Sequence, residues 1–295
     1  MTREPSGAIP ALLTPFTDGG GEVDHETLDA HVAWLAERGV RWISPLGTTG
    51  EGVSLALDER RQVIDRLARH PAGVGLIAGS GCTALPETIA LSRFAHERGA
   101  ALLVAPPSYY DAFDERGVTA YFFELFEALP PDARVFLYHI PRHTGIPITD
   151  TLLRALGERF GPQLAGVKDS GGEFEHTRAW LRDFPQLTIL SGSDATAAAA
   201  YEAGGRGLIT MLANIFPEEH EQIREGTAVV ERQAFLTAVR ELVQEVPRHA
   251  ALKHLLHLVS GLPRAAVRPP LQELDDEQTT YLERRFNELR SEAHV

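Results

Sequence analysis

The chain has 295 residues, 43% of them hydrophobic, and a formal net charge of −13. That length suits one large α/β unit with a sizeable core, and no apolar run is long enough to cross a membrane. The lack of a basic cluster argues against nucleic acid as a partner, and a single cysteine, Cys82, excludes an internal disulfide and any multi-cysteine metal site. The first residues include Arg3 and Glu4 with no apolar signal core, so a cytoplasmic location is expected.

In chain order, short apolar runs alternate with longer amphipathic stretches. Strands are predicted over 8–13, 41–46, 74–78, 101–105, 134–139, 164–168, 187–191 and 207–211. Their near-continuous hydrophobicity fits parallel strands covered on both faces. Helices are predicted over 24–38, 58–69, 86–98, 117–128, 149–160, 173–184, 194–203 and 217–225; the first and third end at Gly39 and Gly99. The eightfold βα order predicts an α/β fold, a (β/α)8 TIM barrel, over residues 1–225. Residues 226–295 read as a C-terminal extension of three helices, over 231–245, 249–259 and 276–293. They are too few for an independent enzyme domain and are expected to pack on the barrel or on a neighbouring subunit.

Barrels place chemistry at the C-terminal ends of their strands. Of 28 basic residues all but Lys168 and Lys253 are arginine. A guanidinium stays protonated, whereas a desolvated amine loses its proton and attacks carbonyls. Lys253 is expected to be an ordinary surface residue. Lys168 follows Gly166-Val167 at the end of the sixth strand and precedes a glycine pair, so its amine should point across the barrel mouth. Gly47-Thr48-Thr49-Gly50-Glu51, after strand 2, offers hydroxyls and backbone N–H groups for a carboxylate; an ordinary polar loop would read the same way. Tyr138, at the end of strand 5, is placed to pass a proton or to pack in the core. His139 and His143 stand four apart, but Pro141 between them disfavours helical metal-ligand geometry, so no metal is expected there. Tyr109-Tyr110 after strand 4 suit packing or a subunit interface. Ser193-Asp194 after strand 7 read as a helix N-cap. Cys82 lacks a recognisable base and is not expected to be a nucleophile.

Gly47-Thr48-Thr49-Gly50-Glu51, the Tyr138–Pro141 segment, Gly166-Val167-Lys168, Ser191-Gly192-Ser193-Asp194 and Gly204-Gly205-Arg206-Gly207 together resemble the dihydrodipicolinate synthase / N-acetylneuraminate lyase family in order and spacing. The resemblance implies that Lys168 forms a Schiff base with a 2-oxo acid such as pyruvate and that Tyr138 is the general acid/base. It implies that Thr48 relays protons to Tyr110, a tyrosine that crosses from a neighbouring subunit. Thr49, with Gly47, would hold the substrate carboxylate, and Ile209 would contact substrate through its carbonyl. Such enzymes are usually homotetramers, dimers of dimers, and need no cofactor and no metal. In the synthase branch the fifth position after the catalytic tyrosine is an arginine that grips the second substrate; here it is His143. Leu57, Arg60 and Thr83 depart from the residues of that branch's lysine-feedback pocket.

The favoured expectation is therefore a Schiff-base lyase that makes or breaks a carbon–carbon bond on a 2-oxo-3-deoxy sugar acid or related hydroxy-oxo acid. His143, Ser170 and Ser193 are candidate readers of the second substrate. The alternatives are the synthase itself, an imine-dependent sugar-acid dehydratase, and a barrel that only binds.

Overall fold

The computed structural model describes residues 4–108 and 113–293. Eight parallel strands form one sheet: β1 (Gly7–Pro10), β2 (Trp42–Ile43), β3 (Gly75–Gly79), β4 (Ala101–Val104), β5 (Val135–His139), β6 (Leu164–Asp169), β7 (Thr188–Ser191) and β8 (Gly207–Thr210). β1 pairs with β8, and consecutive strands pair from β8 back to β2. The seam between β1 and β2 is held by an Ala11–Ser44 bridge, with Leu12 N–H donating to Ser44 O at 2.9 Å and Ser44 N–H to Pro10 O at 2.8 Å. The result is a (β/α)8 barrel. Its inner layer includes Ile9, Ala11, Phe136, Tyr138, Leu190 and Ile209, all buried.

The connecting helices are α1 (His25–Glu37), α2 (Leu57–Ala68), α3 (Leu85–His96), α4 (Glu115–Ala128), α5 (Pro141–Thr144), α6 (Asp150–Phe160), α7 (Phe174–Asp183), α8 (Ala197–Glu202) and α9 (Pro217–Glu225). The helix expected over 194–203 is broken: Asp194–Thr196 forms a 3-10 turn before α8. The short α5 was not expected. Pro141 starts it, where a proline's fixed φ suits the first helical turn, and Gly145 at φ 69 ends it.

Three further helices follow: α10 (Val229–Leu242), α11 (Arg248–Ser260) and α12 (Asp276–Ala293). They share one core with the last barrel units, in which Leu208, Leu212 and Phe216 pack with Phe235, Leu252 and Phe286. α11 is buried on every side from Ala250 to Leu256. This overturns the expectation for Lys253, which is 3% exposed and ion-paired rather than solvated. The expectation rested on lysine being an ordinarily solvated residue; a helix enclosed on all sides offers no solvent face.

Candidate active site

β5 and β6 run in register with Tyr138 opposite Lys168. Neighbours in a parallel ladder project to the same face, and both side chains point into the barrel mouth, where Lys168 is 4% exposed. The ammonium nitrogen Nζ lies 4.2 Å from the centre of the Tyr138 ring. Gly166 makes this fit possible, because a Cβ there would collide with the Thr188 carbonyl oxygen and, at 2.8 Å, with the Phe136 ring. The Tyr138 hydroxyl lies 3.4 Å from Thr48 Oγ1. Burial alone would raise the Tyr138 phenol. The Lys168 charge and hydrogen bonds from Thr48, Lys168 and Ser170 outweigh it and hold the phenol below its ordinary value. A tyrosine so placed gives and takes a proton more evenly than a free phenol.

The strand-2 loop reaches this pair through a constrained turn. Leu46 and Glu51 both adopt left-handed backbone, at φ 63 and 54. For residues other than glycine this costs about 1 kcal/mol or more and persists only where surrounding contacts enforce it. α11 and the segment after it supply those contacts. The Glu51 carboxylate accepts from Lys253 Nζ at 2.6 Å and from Arg268 N–H at 3.0 Å. Lys253 also donates to Ala266 O at 2.6 Å. His249 Nε2 lies 3.0 Å from the Thr48 carbonyl oxygen, with burial first among the causes that hold its imidazole below the usual range. The barrel mouth is thus tied down by a helix about 200 residues further along the chain.

Lys168, Tyr138, Thr48, Thr49, Ile209, His143, Ser170 and Ser193 all line one cavity of about 150 Å3 at the C-terminal ends of the strands. Gly47 does not line it; its carbonyl accepts Gly52 N–H at 3.1 Å and so shapes the turn. Tyr110 lies outside the described residues. The cavity also takes in Arg240 and Gln244, near the end of α10, and Arg248, the first residue of α11. Sequence reasoning missed these three, because nothing in their local pattern says that helices beyond the eighth unit cover the mouth. Their spacing of four was the only sequence signal.

Two expectations are revised in detail. Ser193 makes no side-chain cap, and the buried Asp194 instead faces His220 Nε2 at 2.9 Å. His139 and His143 part company: His143 is exposed at the cavity, whereas His139 is buried with Asp169 and His176. In that cluster His139 Nδ1 accepts Ile148 N–H at 3.0 Å, which leaves the proton on Nε2. Asp169 Oδ1 accepts Gly171 N–H at 2.9 Å and Oδ2 the Thr177 hydroxyl at 2.8 Å. This donor set is a hydrogen-bonded brace for the end of β6 and does not suit a cation. Cys82 lies outside the cavity; burial pushes its thiol up by more than Arg60, at 3.2 Å, pulls it down.

The profile of the Dihydrodipicolinate synthetase family matches residues 4–289. The chain belongs to that family. It is 43% identical over 291 residues to an uncharacterised DapA-like lyase of Chloroflexus aurantiacus, covering 97% of each chain. Among solved structures it resembles KD(P)GA from T. tenax at 27% identity and TM-score 0.88, over 98% of this chain and 100% of that one. It also resembles YagE from E. coli K12, a structure in complex with pyruvate, at 26% identity and TM-score 0.88, over 97% and 98% of the two chains. Membership sets the activity class. The chain is a lyase that works through a lysine Schiff base, of the class I pyruvate-dependent aldolase type.

Proposed function

We propose that Lys168 is the nucleophile of an aldolase acting on a hydroxy-oxo acid, with pyruvate as one partner. The observation that carries this is the convergence of Lys168 Nζ, the Tyr138 ring and the Thr48 hydroxyl in one cavity at the strand ends. The Lys168 amine adds to the keto carbon of pyruvate, and water leaves as the protonated imine forms. Loss of a methyl proton gives the enamine, whose carbon attacks an aldehyde; hydrolysis of the new imine frees product and amine. Cleavage is the same path in reverse. Tyr138 carries the protons. Thr48 connects it to Tyr110, which we assign to the relay across a subunit boundary in a homotetramer. Thr49 receives the substrate carboxylate, Ile209 contacts substrate through its carbonyl, and Ser170, Ser193 and His143 face the second substrate. His143 is held below its usual range by burial and by Arg142 and Arg248, so it is neutral at pH 7 and a poor anion grip. Residues 226–295 serve as an extension of the barrel, and the protein works in the cytoplasm.

Borohydride reduction in the presence of pyruvate should add one reduced pyruvyl group at Lys168, read by peptide mass. Wild type without an adduct, or Lys168→Ala with one, refutes the assignment. The synthase is the second reading, since Arg142 lines the cavity beside His143; turnover of pyruvate with aspartate semialdehyde decides it.

A further inference from the structure

Three guanidinium side chains border the cavity: Arg142 on α5, Arg240 on α10 and Arg248 on α11. Among the described residues none has a carboxylate or hydrogen-bond partner for its side chain. For Arg240 and Arg248, which are half-buried, that is unusual here, because this chain carries 41 acidic residues against 28 basic ones and other half-buried guanidiniums are ion-paired, as Arg98 is with Asp65, Arg134 with Glu4 and Arg268 with Glu59. The buried carboxylates of the cavity are already engaged, Asp169 by Thr177 and Gly171, and Asp194 by His220; Glu173 is exposed. The three arginines feel one another. Burial first, then Arg142 and Arg240, hold Arg248 below its ordinary value. Like charges gathered around a half-buried position are unfavourable in the empty site, and an anion reverses the sign, because guanidinium forks bind carboxylate and phosphate oxygens in pairs.

We infer that Arg142, Arg240 and Arg248 form an oxyanion subsite for the far end of the aldehyde partner, a terminal carboxylate or phosphate. This rests on the Schiff-base reading above, in which Lys168 takes the keto carbon and Thr49 the near carboxylate. The grip comes chiefly from the helices beyond the barrel rather than from the strand-5 loop, where His143 stands.

The test uses the full-length enzyme, pyruvate, and matched aldehydes: succinic semialdehyde against butanal, and glycolaldehyde phosphate against glycolaldehyde. Wild type should favour at least one anionic member over its neutral twin by tenfold or more in kcat/KM, and the pair that does so tells carboxylate from phosphate. In R240Q/R248Q that ratio should fall at least tenfold, while the pyruvate concentration for half-maximal borohydride trapping stays within threefold. R142Q, on the exposed α5, reads the same ratio if the double variant does not fold. A ratio near one in wild type, a ratio unchanged in the variants, or a shift confined to pyruvate trapping overturns the subsite. Absence of trapping in wild type would instead sink the Schiff-base reading. In that event thermal midpoints in succinate and inorganic phosphate decide the subsite without turnover: a rise in wild type that R240Q/R248Q loses supports it, and no rise overturns it.

Discussion

Replacing Lys253 by methionine isolates the tie between α11 and the strand-2 loop. Lys253 and Glu51 side chains are 2% and 0% exposed, with Nζ 2.6 Å from Oε1. Methionine keeps most of the volume and removes the charge. It leaves the Glu51 carboxylate buried with the Arg268 N–H as its remaining hydrogen bond. Breaking a buried pair from one side costs about 3–5 kcal/mol, because an uncompensated charge stays behind. At roughly 2–4 °C per kcal/mol for a chain of this size, the unfolding midpoint should fall by about 10 °C. The partner control is Lys253→Met with Glu51→Gln. Neutralising both ends should recover most of the loss, since well-packed neutral replacements for buried pairs are often near neutral. Scanning calorimetry of the three proteins at one protein concentration measures the shifts. A single variant within about 1 kcal/mol of wild type, or a double variant no better than the single, would show that the pair does not hold the loop.

Other positions yield sharper single readings. Tyr138→Phe should keep pyruvate trapping by borohydride yet lose about 100- to 10,000-fold in kcat, the usual worth of a positioned acid/base; steady-state and trapping assays together check it. Gly166→Ala should fail to reach a native midpoint or lose several kcal/mol, because the new methyl meets the Thr188 carbonyl oxygen. His31 is 1% exposed and burial holds its imidazole down at about 4, despite a hydrogen bond to Asn214 O at 3.0 Å. The unfolded chain binds this proton from near pH 6.5 and the folded chain only near 4. His31 therefore costs no stability above pH 6.5 and removes about 3 kcal/mol as pH falls through that window. His31→Gln should flatten that part of the stability profile, measured by urea unfolding between pH 7 and 4.

The barrel itself was legible because parallel strands covered on both faces leave uninterrupted apolar runs, and glycines stop the helices between them. Lys168 stood out because the chain otherwise spends its positive charge on arginine. Tyr138 and Thr48 follow from their places at strand ends. The roof did not show in the sequence. Arg248, His249 and Lys253 lie along one helix, and each meets a distant part of the barrel: the cavity, the Thr48 carbonyl and Glu51. Contacts across such separations leave no local periodicity, and a polar residue on an enclosed helix looks like one on a wet helix until its partner is known. Ser193 misled for a related reason, since the turn after β7 is shaped by the buried Asp194 meeting His220 rather than by a cap.

The order of synthesis gives the Lys253–Glu51 tie another meaning. Its two ends are 202 residues apart, so at about 5–20 residues per second the loop waits roughly 10–40 s for its lysine. All eight barrel units leave the ribosome first. Until α11 arrives, the Glu51 carboxylate has no ammonium and the Thr48 carbonyl no imidazole. A chain cut short before α11 would carry Lys168, Tyr138 and Thr48 and still lack both of these ties to the strand-2 loop.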